Sequence, residues 1–198
     1  NDPDFAKQLA KLGDVYVSDA FGTVHRAHAS TEGVTHYVDQ SAAGFLVAKE
    51  IAYFGKVLTH PDRPLMAVLG GAKVSDKIPV IDNLLNLVDT LAIGGGMLFT
   101  FLKAKGLEIG DSLLDAEGLE AATNAMAKAE KQGISLILPV DILAADDFSK
   151  DANAKVVDAG GIEAGWRGMD IGPKSIEQYC EAARQAKTVV WNGPVGVF

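Results

Sequence analysis

The sequence predicts an α/β fold in which a mostly parallel sheet carries helices on both faces and a long helix joins two bodies. From Leu65 onward, short apolar runs alternate with glycine turns and helical patterns, which is typical of parallel sheets. Residues 44–58 are apolar on more than one side, as expected of a helix buried between two bodies. The chain has 198 residues, of which 48% are hydrophobic, which is enough for one large core or two small ones.

The elements before Leu65 are few and short. Residues 4–12 predict an amphipathic helix that ends at Gly13, and residues 14–18 alternate in polarity like a strand. Residues 19–30 are a polar loop at the end of that strand, a position where loops frequently carry function. The long helix follows, and a turn cluster closes it.

The rest of the chain predicts four further strands and four further helices. Proline and glycine mark several of their ends, for example Gly133 after one helix and a proline near the start of another. A polar connection is predicted over residues 146–155. The predicted strands are 65–69, 90–93, 135–138 (continued over 140–143 after Pro139) and 188–191, and the helices are 77–88, 97–105, 117–132 and 173–186.

Composition limits the classes of partner and compartment. The net charge of −8 disfavours nucleic acid and anionic membranes, so an anionic substrate would need a local cationic cluster. No apolar run approaches the ~20 residues of a membrane span. The single cysteine, Cys180, shares a helical stripe with Ile176 and Tyr179, which predicts a structural core position. Because one cysteine cannot form an internal disulfide, a reducing compartment is favoured. Asn1 is not an initiator methionine, so we expect the natural N-terminus to lie upstream.

The stretch 69–77, with the sequence LGGAKVSDK, lies on a strand-to-helix turn. Asp76 is a candidate N-cap, which places Pro79 in the first helical turn. Lys73 and Lys77 would be unfavourable beside the positive end of the helix dipole unless an anion joins them. Glycine backbone and two ammonium groups together describe a phosphate site. An ordinary glycine turn with two solvated lysines explains this stretch equally well.

Three of the predicted strands end in glycine-rich turns, at 70–71, 94–96 and 193. Open parallel sheets bind ligands at the carboxyl ends of their strands, so the coincidence favours a nucleotide site. The turn is not a P-loop, because Val74 follows Lys73, and no dinucleotide fingerprint is present.

The polar loop contains the sequence HRAH at residues 25–28. Its two histidines could ligate a metal, but no cysteine or clear third ligand is near, so zinc is disfavoured. Arg26 could clamp phosphate or carboxylate with its guanidinium, or it could be a solvated loop residue.

Long motifs then point to a family. The segments DVYVSDAFGTVHRAHAS, LGGAKVSDK, IGGGM with FTFLK, LPVDILAADDF and VVWNGPVGVF occur in the order found in phosphoglycerate kinases, and the resemblance covers residues 13–198. It implies two Rossmann-like α/β domains joined by a long helix, both incomplete here. The ranges implied are 1–42 for the end of the phosphoglycerate-binding domain, 43–58 for the interdomain helix and 59–198 for the nucleotide-binding domain.

The resemblance also implies roles for individual residues. Arg26 matches the arginine that binds phosphoglycerate. Lys77 matches the lysine on the nucleotide phosphates and the transferred phosphoryl group, with Lys73 as its catalytic partner. The remaining matches are nucleotide-binding: Gly71, Gly95 and Gly96 on the adenosine side, Gly168 and Met169 in a loop against the adenine, and Asn192 and Pro194 in the phosphate-side turn.

The implied reaction is the glycolytic transfer of a phosphoryl group between 1,3-bisphosphoglycerate and ADP, giving 3-phosphoglycerate and ATP. The resemblance implies a cytoplasmic enzyme, monomeric when complete, with Mg²⁺ carried by ATP or ADP. The protein ligand of that Mg²⁺ and a cluster of substrate arginines are expected outside these residues, so we expect residues 1–198 alone to be inactive. A nucleotide-binding module without turnover and a plain α/β scaffold remain as alternatives.

Overall fold

The computed structural model describes residues 2–197 and confirms the α/β class with parallel sheets. The chain forms two compact units, Asn1–Pro61 and Asp62–Phe198. Residues 1 and 198, the outer limits of the predicted domain ranges, lie outside the described residues. The division at residues 42 and 58 stays a prediction.

The first unit contains the two predicted helices and a small parallel sheet. The first helix begins after Asp2, whose carboxylate accepts a hydrogen bond of 2.9 Å from the Asp4 N–H. A second strand, which the sequence did not predict, pairs in parallel with the first. The elements are α1 (Pro3–Ala10), β1 (Val15–Ser18), β2 (Gln40–Ala43) and α2 (Phe45–Thr59), with short 3₁₀ turns at Phe21–Thr23 and Gly33–His36.

The start of α2 is fixed by a carboxylate from outside the helix. Asp19, just after β1, accepts a hydrogen bond of 3.0 Å from the Val47 N–H, and only glycine fits at Gly44, where a Cβ would lie 2.3 Å from the Asp19 carboxyl carbon. The helix itself is confirmed. The predicted burial on several sides is not found in the described residues, because Val47 is its one buried residue and Phe45 is 96% exposed.

The second unit is organised around a four-stranded parallel sheet with the order β11-β3-β4-β6. Its central strand β3 is buried along its whole length, and the strand predicted at 188–191 forms the edge next to it. The elements of this unit are β3 (Leu65–Leu69), α3 (Ile78–Leu84), β4 (Thr90–Ile93), α4 (Met97–Ala104), β5 (Glu108–Ile109), α5 (Leu119–Gln132), β6 (Ser135–Ile137), β7 (Asp141–Ala145), β8 (Ala154–Asp158), β9 (Gly161–Ile162), β10 (Arg167–Ile171), α6 (Pro173–Gln185) and β11 (Thr188–Asn192).

A second sheet in this unit was not predicted. The segment expected to continue one strand past Pro139 instead divides, with β6 in the parallel sheet and β7 in an antiparallel sheet of order β10-β7-β8. The polar connection predicted to reach residue 155 ends earlier, because β8 begins at Ala154. Strands β5 and β9 form a further short parallel pair.

Polar contacts hold helix α6 against the rest of the second unit, and the core position predicted for Cys180 is wrong. Tyr179 donates a hydrogen bond of 2.6 Å from its hydroxyl to the Ile93 carbonyl, and Ser175 bonds to Asp141, so these two residues are the buried ones on the helix. Cys180 is therefore exposed rather than in the core. Among the described residues, no helix has the length and apolar character needed to cross a bilayer.

Candidate active site

The three glycine turns predicted from the sequence meet at the carboxyl ends of β3, β4 and β11. The Gly70 N–H donates to the Asn192 carbonyl at 2.8 Å, and the Gly95 N–H donates to the Val195 carbonyl at 2.7 Å. The Met97 N–H at the start of α4 donates to the Gly71 carbonyl at 2.9 Å. The turns therefore form one backbone-bonded surface, as the rule for open parallel sheets predicts.

Close backbone approach explains why glycine occupies this surface. Gly95 has a φ of +67°, and a Cβ there would lie 2.7 Å from both the Gly71 nitrogen and the Pro194 carbonyl oxygen. At Gly70 a Cβ would lie 1.9 Å from the same Pro194 oxygen. Any larger residue at these positions would separate the turns.

A cavity of about 560 Å³ opens beside this surface and lies wholly within the second unit. Its volume is that of a typical small-molecule site, for which ~300–1,000 Å³ is usual. Six of the predicted nucleotide-binding residues line it: Gly71, Gly95, Gly96, Gly168, Met169 and Pro194.

Lys77 lies next to the cavity wall. A Cβ on Gly71 would be 3.0 Å from the Lys77 Cε, and the Lys77 Nζ donates a hydrogen bond of 2.5 Å to the Asn192 Oδ1. The predicted N-cap at Asp76 is wrong, because residues 75–77 form a 3₁₀ turn and Lys77 itself occupies the N-cap position of α3. Lys73 is exposed on the same loop.

Strand β10 supplies a further part of the cavity wall, including the predicted residues Gly168 and Met169. Gly168 and Met169 belong to strand β10 rather than to a loop, and Gly168 packs so tightly that a Cβ would lie 2.1 Å from the Phe99 ring. The Val197 N–H donates to the Met169 carbonyl at 2.9 Å and holds the last turn against this strand. The unpredicted lining residues are Ala72, Phe99, Asp111, Leu113, Phe148, Arg167, Gly196 and Val197.

Arg167 is the only cationic residue among the described residues that line the cavity. Its Nε is buried and, within residues 2–197, has no hydrogen-bond partner. The sequence analysis did not single it out, although it directly precedes the predicted residues Gly168 and Met169 on a strand that was not predicted.

Arg26 belongs to the first unit and lies on an exposed loop there. Its Nε donates a hydrogen bond of 3.3 Å to the His25 Nε2, and its carbonyl accepts one of 2.5 Å from the Thr31 hydroxyl. The loop backbone is thus fixed, while the guanidinium is left at the surface.

The part of the chain that the structure describes contains no group of three or more histidine, cysteine or acidic side chains placed to hold a metal ion.

Comparison with known proteins identifies the family of the chain. The family model described as phosphoglycerate kinase matches residues 1–198. The chain belongs to the phosphoglycerate kinase family. The phosphoglycerate kinase of Chloroflexus aurantiacus is 59% identical over the whole chain, which covers 49% of that relative. In Arabidopsis thaliana, the cytosolic phosphoglycerate kinase 3 is 55% identical and the chloroplastic phosphoglycerate kinase 1 is 57% identical, again over the whole chain, which covers 49% and 41% of them.

A solved structure gives the same result for the fold. The phosphoglycerate kinase of Coxiella burnetii superposes with a TM-score of 0.84 at 45% identity, over 100% of this chain and 51% of that one. The chain thus spans about half the length of the phosphoglycerate kinases it matches.

Proposed function

We propose that this chain forms the nucleotide site, and part of the phosphoglycerate site, of a glycolytic phosphoglycerate kinase. The reaction is the reversible transfer of a phosphoryl group between 1,3-bisphosphoglycerate and ADP, giving 3-phosphoglycerate and ATP. The observation that carries the proposal is the cavity walled by three glycine turns, with Lys77 in contact with one turn and hydrogen-bonded to the strand before another.

The cavity lining is mostly glycine backbone and apolar side chains, which suits a base, and two lysines on the loop after β3 lie outside that lining, where they suit phosphates. The base would lie between Gly95, Gly96 and the β10 residues Gly168 and Met169, where backbone and apolar side chains offer flat surfaces. The phosphates would then extend toward the turns after β3 and β11. The groups there are Lys73, Lys77, Asn192 and Pro194.

The chemistry needs charge and alignment rather than a base. In the direction of ATP synthesis, a β-phosphate oxygen of ADP attacks the acyl phosphorus, the bond to the carboxyl oxygen breaks, and a carboxylate leaves. A carboxylate is ionised at neutral pH, and so is the attacking phosphate, so no side chain has to move a proton. Lys77 and Lys73 would stabilise the charge on the transferred phosphoryl group, which is the main term in such reactions.

Arg26 would hold the phosphoglycerate. A guanidinium presents paired donors that match phosphate or carboxylate, and this one lies on a loop whose backbone is fixed by hydrogen bonds. Mg²⁺ would accompany the nucleotide. A cytoplasmic location is supported by the cytosolic plant relative and by the single cysteine, and we expect the complete enzyme to act as a monomer.

The protein at its natural full length tests the proposal through ATP formation from ADP and 1,3-bisphosphoglycerate. Arg26→Ala should raise the KM for phosphoglycerate and leave ADP binding nearly unchanged, because the cavity is lined only by the second unit. Arg184→Ala, which removes an exposed arginine of α6, is the matched control. ADP binding without turnover would instead identify a nucleotide-binding module, and no binding of ADP would identify a scaffold.

A further inference from the structure

The segment from Gly71 to Lys77 is fixed at three points. The Gly71 carbonyl accepts from the Met97 N–H at 2.9 Å, and the Lys77 Nζ is bonded to Asn192. Between these points, the Ser75 N–H donates a hydrogen bond of 2.8 Å to the Asp115 Oδ2. Asp115 comes 40 residues later in the chain, just before α5, and lies outside the cavity lining. The segment that carries both lysines therefore depends on an acid that the sequence did not single out.

Asp115 is itself held firmly. Asp115 is only 8% exposed. Its N–H donates a hydrogen bond of 3.1 Å to the hydroxyl of Thr100, which is fully buried on α4. The hydrogen bond from the Ser75 backbone lowers the pKa of Asp115 and outweighs the burial that raises it. The carboxyl group is therefore ionised at neutral pH, and a charged acceptor makes the bond to Ser75 stronger than one between neutral groups.

Packing leaves the carboxylate little room to move. A Cβ on Gly118 would lie 2.7 Å from the Asp115 Oδ2 and 2.8 Å from the Val74 Cβ. Val74 is completely buried beside Ser75. Gly118 and Val74 thus pack closely around the Asp115 carboxylate where it accepts the hydrogen bond from the Ser75 N–H.

We propose that Asp115 is a positioning residue, which places the loop carrying Lys73 and Lys77 for the phosphates of the nucleotide. The inference rests on the proposed function. Asp115 acts through the Ser75 N–H, which lies two residues from each lysine, and does not contact the nucleotide itself. A site whose groups are placed before the ligand arrives loses less entropy on binding and in the transition state. Loss of Asp115 should therefore weaken contacts to phosphates and spare contacts to the base.

Calorimetry on the full-length protein separates the two kinds of contact, with adenosine and ADP as ligands. Asp115→Ala should weaken ADP binding about tenfold and leave adenosine binding within about twofold, since loop misplacement affects only groups at the phosphates. Asp115→Asn keeps an oxygen acceptor and should restore most of the ADP affinity. Glu117→Ala, which removes an exposed acid in the next turn, is the matched control and should bind both ligands like the wild type.

Thr100→Val gives a second test. Valine has nearly the same shape as threonine but removes the hydroxyl that accepts the hydrogen bond from the Asp115 N–H. Thr100→Val should also weaken ADP binding more than adenosine binding. If Asp115→Ala does not fold, Thr100→Val provides the test of the positioning role. Equal weakening of adenosine and ADP, or unchanged ADP binding in both variants, would overturn the positioning role. Failure of the proposed function has a different signature, since the wild type would then bind no ADP.

Discussion

The Lys77 Nζ donates a hydrogen bond of 2.5 Å to the Asn192 Oδ1, across 115 residues of sequence. This contact joins the loop after β3 to the end of β11 and holds the ammonium group beside Gly71 at the cavity wall. A neutral amide orients the lysine without cancelling its charge. The lysine thus remains able to attract phosphate oxygens while its position is restricted.

Lys77→Ala should reduce turnover far more than it weakens ADP binding. The proposed role of the ammonium is to stabilise charge that develops during transfer, and loss of one such donor typically costs ~3 kcal/mol, or about a hundredfold in kcat. Steady-state kinetics and calorimetry on the full-length protein measure the two effects, with the exposed Lys150→Ala as control. Unchanged turnover would exclude this role for Lys77.

Asn192→Asp should weaken ADP binding more than Asn192→Ala does. The aspartate would place a negative charge beside the Lys77 ammonium, so the two groups would form an ion pair and the carboxylate would repel the phosphates. We expect a loss of about tenfold or more for Asn192→Asp at low salt, falling as ionic strength rises.

Asn124→Asp, an exposed change of the same charge on α5, serves as the control and should have little effect. Equal ADP affinities for Asn192→Asp and Asn192→Ala would contradict this prediction.

Arg167→Met should stabilise the ligand-free protein. The Arg167 Nε is buried and unpartnered in the part of the chain that the structure describes, and an unsatisfied buried donor costs about 1–3 kcal/mol. Methionine removes the donor and keeps an apolar stem at the cavity wall, so the free energy of unfolding should rise by about 1 kcal/mol.

Urea unfolding followed by the fluorescence of Trp166 and Trp191, which both lie in the second unit, gives the measurement. The control Arg184→Met removes an arginine that pairs with Glu177 at 3.0 Å and should be neutral or slightly destabilising. A lower free energy of unfolding for Arg167→Met would show that the guanidinium stabilises the wall through packing.

Asp141→Ala should destabilise the second unit by about 3 kcal/mol, because it leaves buried donors without an acceptor. Asp141 is only 1% exposed, and its carboxylate accepts hydrogen bonds from the Ser175 N–H at 2.8 Å and the Lys174 N–H at 3.0 Å. Asp141→Asn should cost less, since it keeps one acceptor oxygen. Thermal unfolding at neutral pH should give the highest Tm for the wild type, a lower Tm for Asp141→Asn and the lowest for Asp141→Ala.

The same carboxylate has a defined pH dependence. Burial alone would raise the pKa of Asp141, but hydrogen bonds from Ser175 and Lys174 outweigh it and lower the pKa below the usual 3.8. A lowered folded-state pKa gives stability that is present above the unfolded value and is lost as the pH falls through the folded one. The advantage of the wild type over Asp141→Asn should therefore stay constant from neutral pH down to about pH 5 and shrink below about pH 4. A loss of that advantage between neutral pH and pH 5 would contradict the assignment.

Several elements could be predicted because their signal is local. The apolar run 65–69 and the run 90–93 became strands with these same limits, since uninterrupted apolar residues are typical of buried parallel strands. Gly133 ends α5 with a φ of +69°, as a left-handed cap predicts. The glycine turns were found in sequence, and their meeting followed from the rule for open sheets.

The antiparallel sheet could not be predicted in the same way. Strand β8 is short, has no fully buried residue, and begins within the segment predicted as a polar connection. Strand β10 is only partly buried until Ile171 and contains a bulge between Gly168 and Asp170. Strand β10 forms by pairing with β7, which lies more than 20 residues earlier in the chain. The family resemblance therefore identified Gly168 and Met169 on this strand, but periodicity gave no signal that a strand was there.

Sequence by itself determined the parallel sheet, the position of the glycine and lysine turn, and the family, because these depend on periodicity and on long motifs of neighbouring residues. Tertiary structure alone decided which residues complete the site. In the folded chain the Ser75 N–H donates to Asp115 and the Lys77 Nζ donates to Asn192, whereas the Arg167 Nε has no hydrogen-bond partner within residues 2–197. The physical reason is that a hydrogen bond depends on where two atoms lie in space, and residues separated by tens of positions are brought within 3 Å only by the packing of the sheets.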